Sequence, residues 1–377
     1  GPVNDRALFH LDNCYFIPHL RAVSYRCKTN TVSNTAFRGF GGPQGMYCIE
    51  YAIEDIADFL KVDPLEIRQK NFYKKNMLTH FDMPVEDIII EDLVDQLVQS
   101  SQYAERREHI KKFNLQNSHF KRGISLTPVK FGISFTATHF NQAGALIHIY
   151  TDGSILVNHG GLEMGQGLHT KIRQIVANEF QVDFSLVKMS ATDTSKIPNT
   201  SATAASSGTD LNGMASQNAA QILIARMKEF LATKYQLSVS DIVFKNNQVH
   251  LGDQSIPFKK AVQECYVGRI SLSTTGFYAT PKIHYDSKTR KGRPFFYFSY
   301  GAAVSEVVID TLTGEMRLLQ VDILHDVGQS INPAIDKGQI EGGFIQGLGW
   351  LTSEELWWNP KGKLMTNSPS TYKIPTA

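Results

Sequence analysis

"ALIHIYTDGSILVNHG", residues 145–160, alternates apolar and polar side chains on both flanks of Asp152–Gly153. Period-two alternation around an Asp-Gly pair predicts an antiparallel hairpin rather than a strand feeding a crossover helix. Two more hairpins are expected, around Asn246–Asn247 and at the turn Thr311–Gly314. Helical spacing lies between and around them. In residues 44–60, Met46, Ile49, Ile53, Ile56 and Leu60 share one face, while Glu50, Glu54 and Asp58 take another. Asp63–Pro64 supplies a cap and a first-turn proline for a second helix. Helices are also expected over 91–113, broken near Ser100–Ser101, and over 166–180, 209–235 and 333–350. Strands that return on themselves among helices predict an α+β fold of mixed sheets, hairpins and packed helices. The polar string "FNLQNSHFKRG", 113–123, marks the domain boundary, and "RGISLTPVKFGISF", 122–135, reads as a strand bent at Pro128.

The 377 residues are 42% apolar and 20% charged, with a formal net charge of +2. That balance makes nucleic acid and membrane surfaces poor partners. The one basic run, "KTRKGR" at 288–293, reads as a solvated loop. Cys14, Cys27, Cys48 and Cys265 form no C-x-x-C pair and fit neither zinc nor iron–sulfur spacing. So few cysteines suit a reducing compartment, and a cytoplasmic location is expected. No stretch reaches the ~18 apolar residues of a membrane span. The twelve histidines form no H-x-x-x-H pair, so no metal held by protein side chains is expected. Glu163, beside Gln166, is placed to act as a base, but nothing in the sequence marks its pKa as raised.

Three glycine-rich stretches stand out. "NTAFRGFGGPQG", 34–45, sets Arg38 between Phe37 and Phe40 and follows with bare backbone. "GGLEMGQGLHTK", 160–171, lacks the third glycine and the preceding βαβ unit of a dinucleotide fingerprint. "PNTSATAASSGTDLNG", 198–213, runs small and hydroxylated into a long helix. Gln–Gly pairs recur at 44–45, 166–167 and 346–347. Two readings stay open: helix N-termini and bare backbone could cradle a polar anionic ligand, or glycine could serve close packing and tight turns.

Together these strings resemble the molybdenum-cofactor-binding region of the xanthine dehydrogenase/oxidase family. The carriers are "DRALFHLDNCY" (5–15), "NTAFRGFGGPQG", "KFGISFT" (130–136), "GGLEMGQGLHTK", "PNTSATAAS" (198–206), "GQIEGGFIQGLG" (338–349) and "SPSTYKIPTA" (368–377), in family order. The resemblance implies molybdopterin carrying Mo as cofactor, with the metal held through the pterin and no protein ligand. It implies cofactor contacts from Arg38, Gln166, Ala204, Ala205 and Gln339, and substrate contacts from Arg6, Phe40, Phe135 and Thr136. Phe40 and Phe135 would clasp a flat purine, and Arg6 would face a purine oxygen where charge develops. The implied reaction is hydroxylation of hypoxanthine to xanthine to urate with oxygen from water, with electrons leaving to Fe–S and FAD centres on other segments or subunits. An aldehyde oxidase-type hydroxylase is the alternative; Arg6 together with Phe40 speaks for purines. Carbon monoxide dehydrogenases are similar but place a cysteine where this chain reads "AFRGFGG".

The resemblance also implies two similar molybdopterin-binding subdomains, with residues 1–115 as the C-terminal part of the first, which is incomplete, and 116–377 as most of the second. The family's general-base glutamate falls after the position matching Ala377, so no catalytic residue is expected within the chain. The chain by itself is expected to bind cofactor weakly and not turn over. Missing flanking segments, an Fe–S/FAD subunit or domain, and an oligomer are expected partners. A non-catalytic scaffold is the rival reading for this polypeptide alone.

Overall fold

In the computed structural model, which describes residues 1–197 and 199–376, the chain forms two compact units. In chain order, five helices come first: α1 (Pro2–Phe9), α2 (Gly42–Leu60), α3 (Pro64–Asn71), α4 (Ile90–Ser100) and α5 (Tyr103–Gln116). Then follow β1 (Phe120–Ile133), β2 (Gln142–Ile149), β3 (Ile155–His159), α6 (Leu168–Phe180), β4 (Val187–Met189) and α7 (Gly208–Tyr235). Next are β5 (Ile242–Lys245), β6 (Gln248–Leu251), β7 (Gln254–Pro257), α8 (Phe258–Val267) and β8 (Ser273–Ala279). The last are β9 (His284–Asp286), β10 (Lys291–Arg293), β11 (Tyr297–Asp310), β12 (Met316–His325) and α9 (Pro333–Thr352). The fold is α+β; the three hairpins and the expected helices lie where the sequence places them, while α1 and α8 carried no such expectation.

The first unit comprises residues 1–133, 284–328 and 337–377. The boundary expected at residue 115 lies in the last turn of α5, inside this unit. Its sheet runs β1-β11-β12, all antiparallel. The β1–β11 register is unbroken from Phe120↔Asp310 to Ile133↔Tyr297. Pro128 therefore does not bend the strand. Its carbonyl points away from β11 and accepts from Asn13 Nδ2 at 2.9 Å, so the missing proline N–H removes nothing from the ladder.

The free edge of β1 is covered by side chains of α1 and the turn after it. Arg6 donates to Gly132 O, His10 Nε2 accepts from Gly132 N at 3.0 Å, and Asn13 Oδ1 accepts from Lys130 N at 3.1 Å. Arg6 and His10, one helical turn apart, both serve Gly132, and Asn13, in the turn after α1, serves Lys130 and Pro128. Asn13 sits at φ 42°, a conformation that asparagine tolerates better than most residues. Glu50 on α2 completes the arrangement, accepting from Asn13 Nδ2 at 2.7 Å, Tyr15 Oη at 2.6 Å and the buried Arg68 Nε at 2.9 Å.

The glycines of 39–45 bring α1 and α2 together. A Cβ on Gly41 would stand 2.0 Å from Val3 O, and one on Gly45 2.2 Å from Ala7 O. For these two residues close packing is the operative role. The basic run is half solvated turn: residues 288–290 are exposed at the tip of the β9–β10 hairpin, and Lys291–Arg293 form β10. Arg290 pairs with Asp5, Lys291 with Asp82 and Arg293 with Glu86, acids more than 200 residues earlier that composition alone does not reveal. The core beneath is aromatic: Phe9, Phe81 and Phe295 meet edge-on at centroid distances of 5.0–5.9 Å.

The second unit comprises residues 134–283 and 329–336. Its sheet runs β4-β3-β2-β8, with only β3–β4 parallel. The β2–β3 hairpin pairs Ala145 with His159 through Ile149 with Ile155, and its buried Ile147, Ile149, Ile155 and Val157 pack on α6 and α7. Gly276 on β8 admits α7: a Cβ there would lie 2.2 Å from Ala215 O. The segment after α7 forms the antiparallel β5-β6-β7 sheet, one strand more than the expected hairpin.

Replacing Asn13 by alanine strands the Pro128 carbonyl and the Lys130 amide and removes a partner from Glu50. We expect a loss of about 2–4 kcal/mol of unfolding free energy in urea titration. A loss below ~1 kcal/mol would show that the edge of β1 does not need this cover.

Candidate functional site

In the second unit, two loops meet around Gly160–Gly161, the one between β3 and α6 and the one between β4 and α7. His159 ends β3 and is almost fully buried; its Nδ1 accepts from Gly161 N at 3.0 Å. The neutral ring therefore carries its proton on Nε2. Burial, with the neighbouring His169 ring 5.2 Å away, pushes its pKa down to about 4. Leu162 N donates to Thr203 Oγ1 at 2.8 Å, and Thr192 Oγ1 donates to Gly161 O at 3.2 Å. This ties the loop bearing Gln166 to the loop bearing Ala204 and Ala205. Gly160 and Gly161 leave no room for side chains: added Cβ atoms would lie 2.3 Å from Thr200 and 2.6 Å from Leu168. His159 Nε2, Thr200 Oγ1 and Asn212 Oδ1 are buried around this crossing without a hydrogen-bond partner. Buried polar atoms in that state call for a ligand or water.

Two helices start here. Gly167, at φ 76°, precedes α6, and Glu163 caps that helix: its carboxylate accepts from Gly165 N and Gly167 N at 2.9 Å and from His169 N at 3.0 Å. Desolvation works against the charge of Glu163, but the three backbone donors outweigh it and hold the carboxyl below its ordinary range. A carboxylate so held is a helix cap rather than a base. Gln166 spends its amide on its own loop, accepting from Met164 N at 2.6 Å and donating to Leu162 O at 2.8 Å. Ala204 is exposed, and Ala205 and Ser206 adopt φ 56° and 58° just before α7. Such left-handed residues outside glycine concentrate at ligand sites.

Phe135 and Thr136 follow β1 and are half-buried. The phenyl ring lies against Phe140 at 5.6 Å and beside Ala143, Ala145, Leu211 and Ala215. Buried Asn141 fixes the Phe135 backbone: Oδ1 accepts from Phe135 N at 2.7 Å, and Nδ2 donates to Phe135 O at 2.8 Å. Nothing in the sequence signals that role for Asn141.

In the first unit, the structure brings Arg38 and Gln339 together. Arg38 donates to Gln339 O at 2.8 Å, to Gln339 Oε1 at 3.1 Å and to Gln346 Oε1 at 3.0 Å. Gly343 on α9 makes room, since a Cβ there would lie 3.4 Å from Arg38 Cζ. Gln346 was visible in the sequence only as one of three Gln–Gly pairs. Phe40 is held at φ 53° in the turn entering α2. Arg6, on the helix that the Phe40 turn packs against, is 5% exposed, its guanidinium over Phe131 at 4.8 Å and Phe295 at 4.6 Å. Among the described residues no cluster of three or more His, Cys, Asp or Glu could hold a metal, and no helix is long and apolar enough to cross a membrane.

His159 is neutral when buried and has a folded pKa below its unfolded ~6.5. Its contribution to stability is therefore complete above pH 6.5 and is lost as pH falls toward about 4. We expect unfolding free energy to drop over that window, and the drop to shrink by up to roughly 3 kcal/mol in His159→Asn. An unchanged pH slope in the variant would contradict the assignment.

Two family models, each described as a molybdopterin cofactor-binding domain, match residues 1–72 and 96–377. Xanthine dehydrogenase/oxidase of Rattus norvegicus is 48% identical over 373 residues, covering 99% of this chain and 27% of that protein. Xanthine dehydrogenase of Dictyostelium discoideum is 48% identical over 376 residues, covering 99% and 26%. The chain thus spans about a quarter of these relatives' length. Among solved structures, the aldehyde oxidoreductase of Desulfovibrio desulfuricans superposes with a TM-score of 0.82 at 21% identity, over 99% of this chain and 38% of that one. A match over most of its length places this chain in the molybdopterin cofactor-binding domain family.

Proposed function

We propose that this chain is the cofactor- and substrate-binding region of a xanthine dehydrogenase that hydroxylates purines, hypoxanthine to xanthine to urate, and passes electrons to Fe–S and FAD centres elsewhere in the complete polypeptide. Identity of 48% to xanthine dehydrogenases supports this. The aldehyde oxidoreductase likeness, at 21%, speaks only to fold. Within the proposal, residues 1–115 belong to the first cofactor-binding domain and 116–377 to the second. A cytoplasmic setting and an oligomeric holoenzyme belong to the same reading.

The residues present suit the cofactor. Molybdopterin carries ring nitrogens, amide-like groups and a phosphate, and the buried, partnerless His159 Nε2, Thr200 Oγ1 and Asn212 Oδ1 supply matching donors and acceptors beside bare glycine backbone. Arg38, Gln166, Ala204, Ala205 and Gln339 are the proposed contacts. The bound molybdopterin supplies the two-electron redox chemistry. The chain's own residues bind and orient: Phe40 and Phe135 present aromatic surface to a flat heterocycle, and Thr136 offers a hydroxyl.

Arg6 is the observation that carries the purine reading. Burial lowers its pKa to about 9, which leaves it cationic at pH 7. A cation fixed between two rings in a low-dielectric setting stabilises negative charge on a purine oxygen without reorganising. Arg6→Ala in the complete enzyme should lower kcat/KM for xanthine by ~10²–10³-fold and spare aldehydes. Equal losses for both substrates would end the purine assignment.

A further inference from the structure

The hydrogen bonds around Arg6 close into a ring. The Arg6 guanidinium donates to the Gly132 carbonyl. The amide of the same Gly132 donates to His10 Nε2 at 3.0 Å, and His10 Nδ1 bonds the Arg6 carbonyl at 3.0 Å. Because Nε2 accepts, Nδ1 must donate, so the ring is neutral with its proton on Nδ1. One imidazole thus links the backbone of Arg6 to the residue its side chain holds.

The surroundings enforce this. His10 is 1% exposed and packs against Phe131 at 4.6 Å and Phe295 at 5.3 Å, the two rings that also flank Arg6. Gly132 can carry no side chain, since a Cβ would lie 2.3 Å from Phe295. The charged groups acting on His10 are Arg6 and Lys130, which oppose its protonation, and Asp12, which favours it. Desolvation dominates, with Arg6 next, and keeps the pKa well below the ordinary histidine value. Protonation would set Nε2–H against the Gly132 N–H and open the ring. The asparagine amide reaches only the position of Nδ1 and the glutamine amide only that of Nε2, so neither reproduces both bonds.

We infer that His10 is the positioning residue for Arg6: its neutral imidazole clamps helix α1 to β1 and sets where the guanidinium points. The inference rests on the reading of Arg6 as the group facing the substrate oxygen. It extends that role to a residue that need not touch substrate.

The test uses the complete enzyme, with His10→Gln and Arg6→Ala measured side by side on xanthine and on an aldehyde, together with Mo and pterin content. Expected for His10→Gln is a fall in kcat/KM for xanthine on the order of 10- to 100-fold, an aldehyde rate near wild type, and undiminished cofactor content. If Arg6→Ala discriminates between the substrates and His10→Gln does not, the positioning role is wrong and the purine reading survives. If Arg6→Ala itself does not discriminate, the purine reading fails first. Should His10→Gln not fold, histidine Cε1 hydrogen–deuterium exchange against pH in the wild-type enzyme decides. No inflexion for His10 near pH 6.5 is expected, and an inflexion there overturns the clamp.

Discussion

The cover that α1 lays over the edge of β1 is the constraint on which the first unit depends. A 14-residue strand with one edge unpaired would leave a row of backbone donors and acceptors exposed. Here Arg6, His10 and Asn13 meet that row at residues 128, 130 and 132. Side chains from a helix and the turn after it thus do what a fourth strand would otherwise do. The arrangement brings a charged residue, a titratable residue and an amide into the interior, where each is held by named partners. It also explains why Pro128 is tolerated within a long strand.

From that contact the glycine-rich entry to α2 follows. Gly41 and Gly45 let α2 lie directly on the backbone of α1. Glu50, two turns along α2, then reaches Asn13, Tyr15 and Arg68. Packing and polar satisfaction are therefore one structure: the helix contact requires the glycines, and the carboxylate that the contact buries requires the asparagine, the tyrosine and the arginine. The second unit solves a similar problem differently. Its loop of 160–167 is held by Glu163 at the start of α6 and by Thr203 and Thr192 from the neighbouring loop. The buried polar atoms left over lie beside the helix starts.

The hairpins and most helices were legible because their signals are local: the alternation around Asp152–Gly153, the Asp63 cap, the spacing over 44–60. What was not legible depends on distant residues. Whether the glycines of 39–45 cradle a ligand or pack a helix cannot be read from them, because Val3 and Ala7, each 38 residues before the glycine it meets, decide it. The three Gln–Gly pairs look alike in sequence. In the fold, Gln166 is spent on its own loop while Gln346 meets Arg38. The slot around Arg6 joins Phe131 to Phe295, and the basic run finds acids more than 200 residues away. Asn141 carries no local signal because an asparagine that braces its neighbour's backbone resembles any turn asparagine.

The central claim is that the chain's bare-backbone loops and the Arg38 contact serve a molybdopterin. The most direct measurement is the Mo and pterin content of the complete polypeptide carrying Arg38→Ala, compared with wild type after folding has been checked by circular dichroism. The account predicts that both contents fall together, several-fold, in a protein of unaltered secondary structure. Wild-type content of both would contradict it.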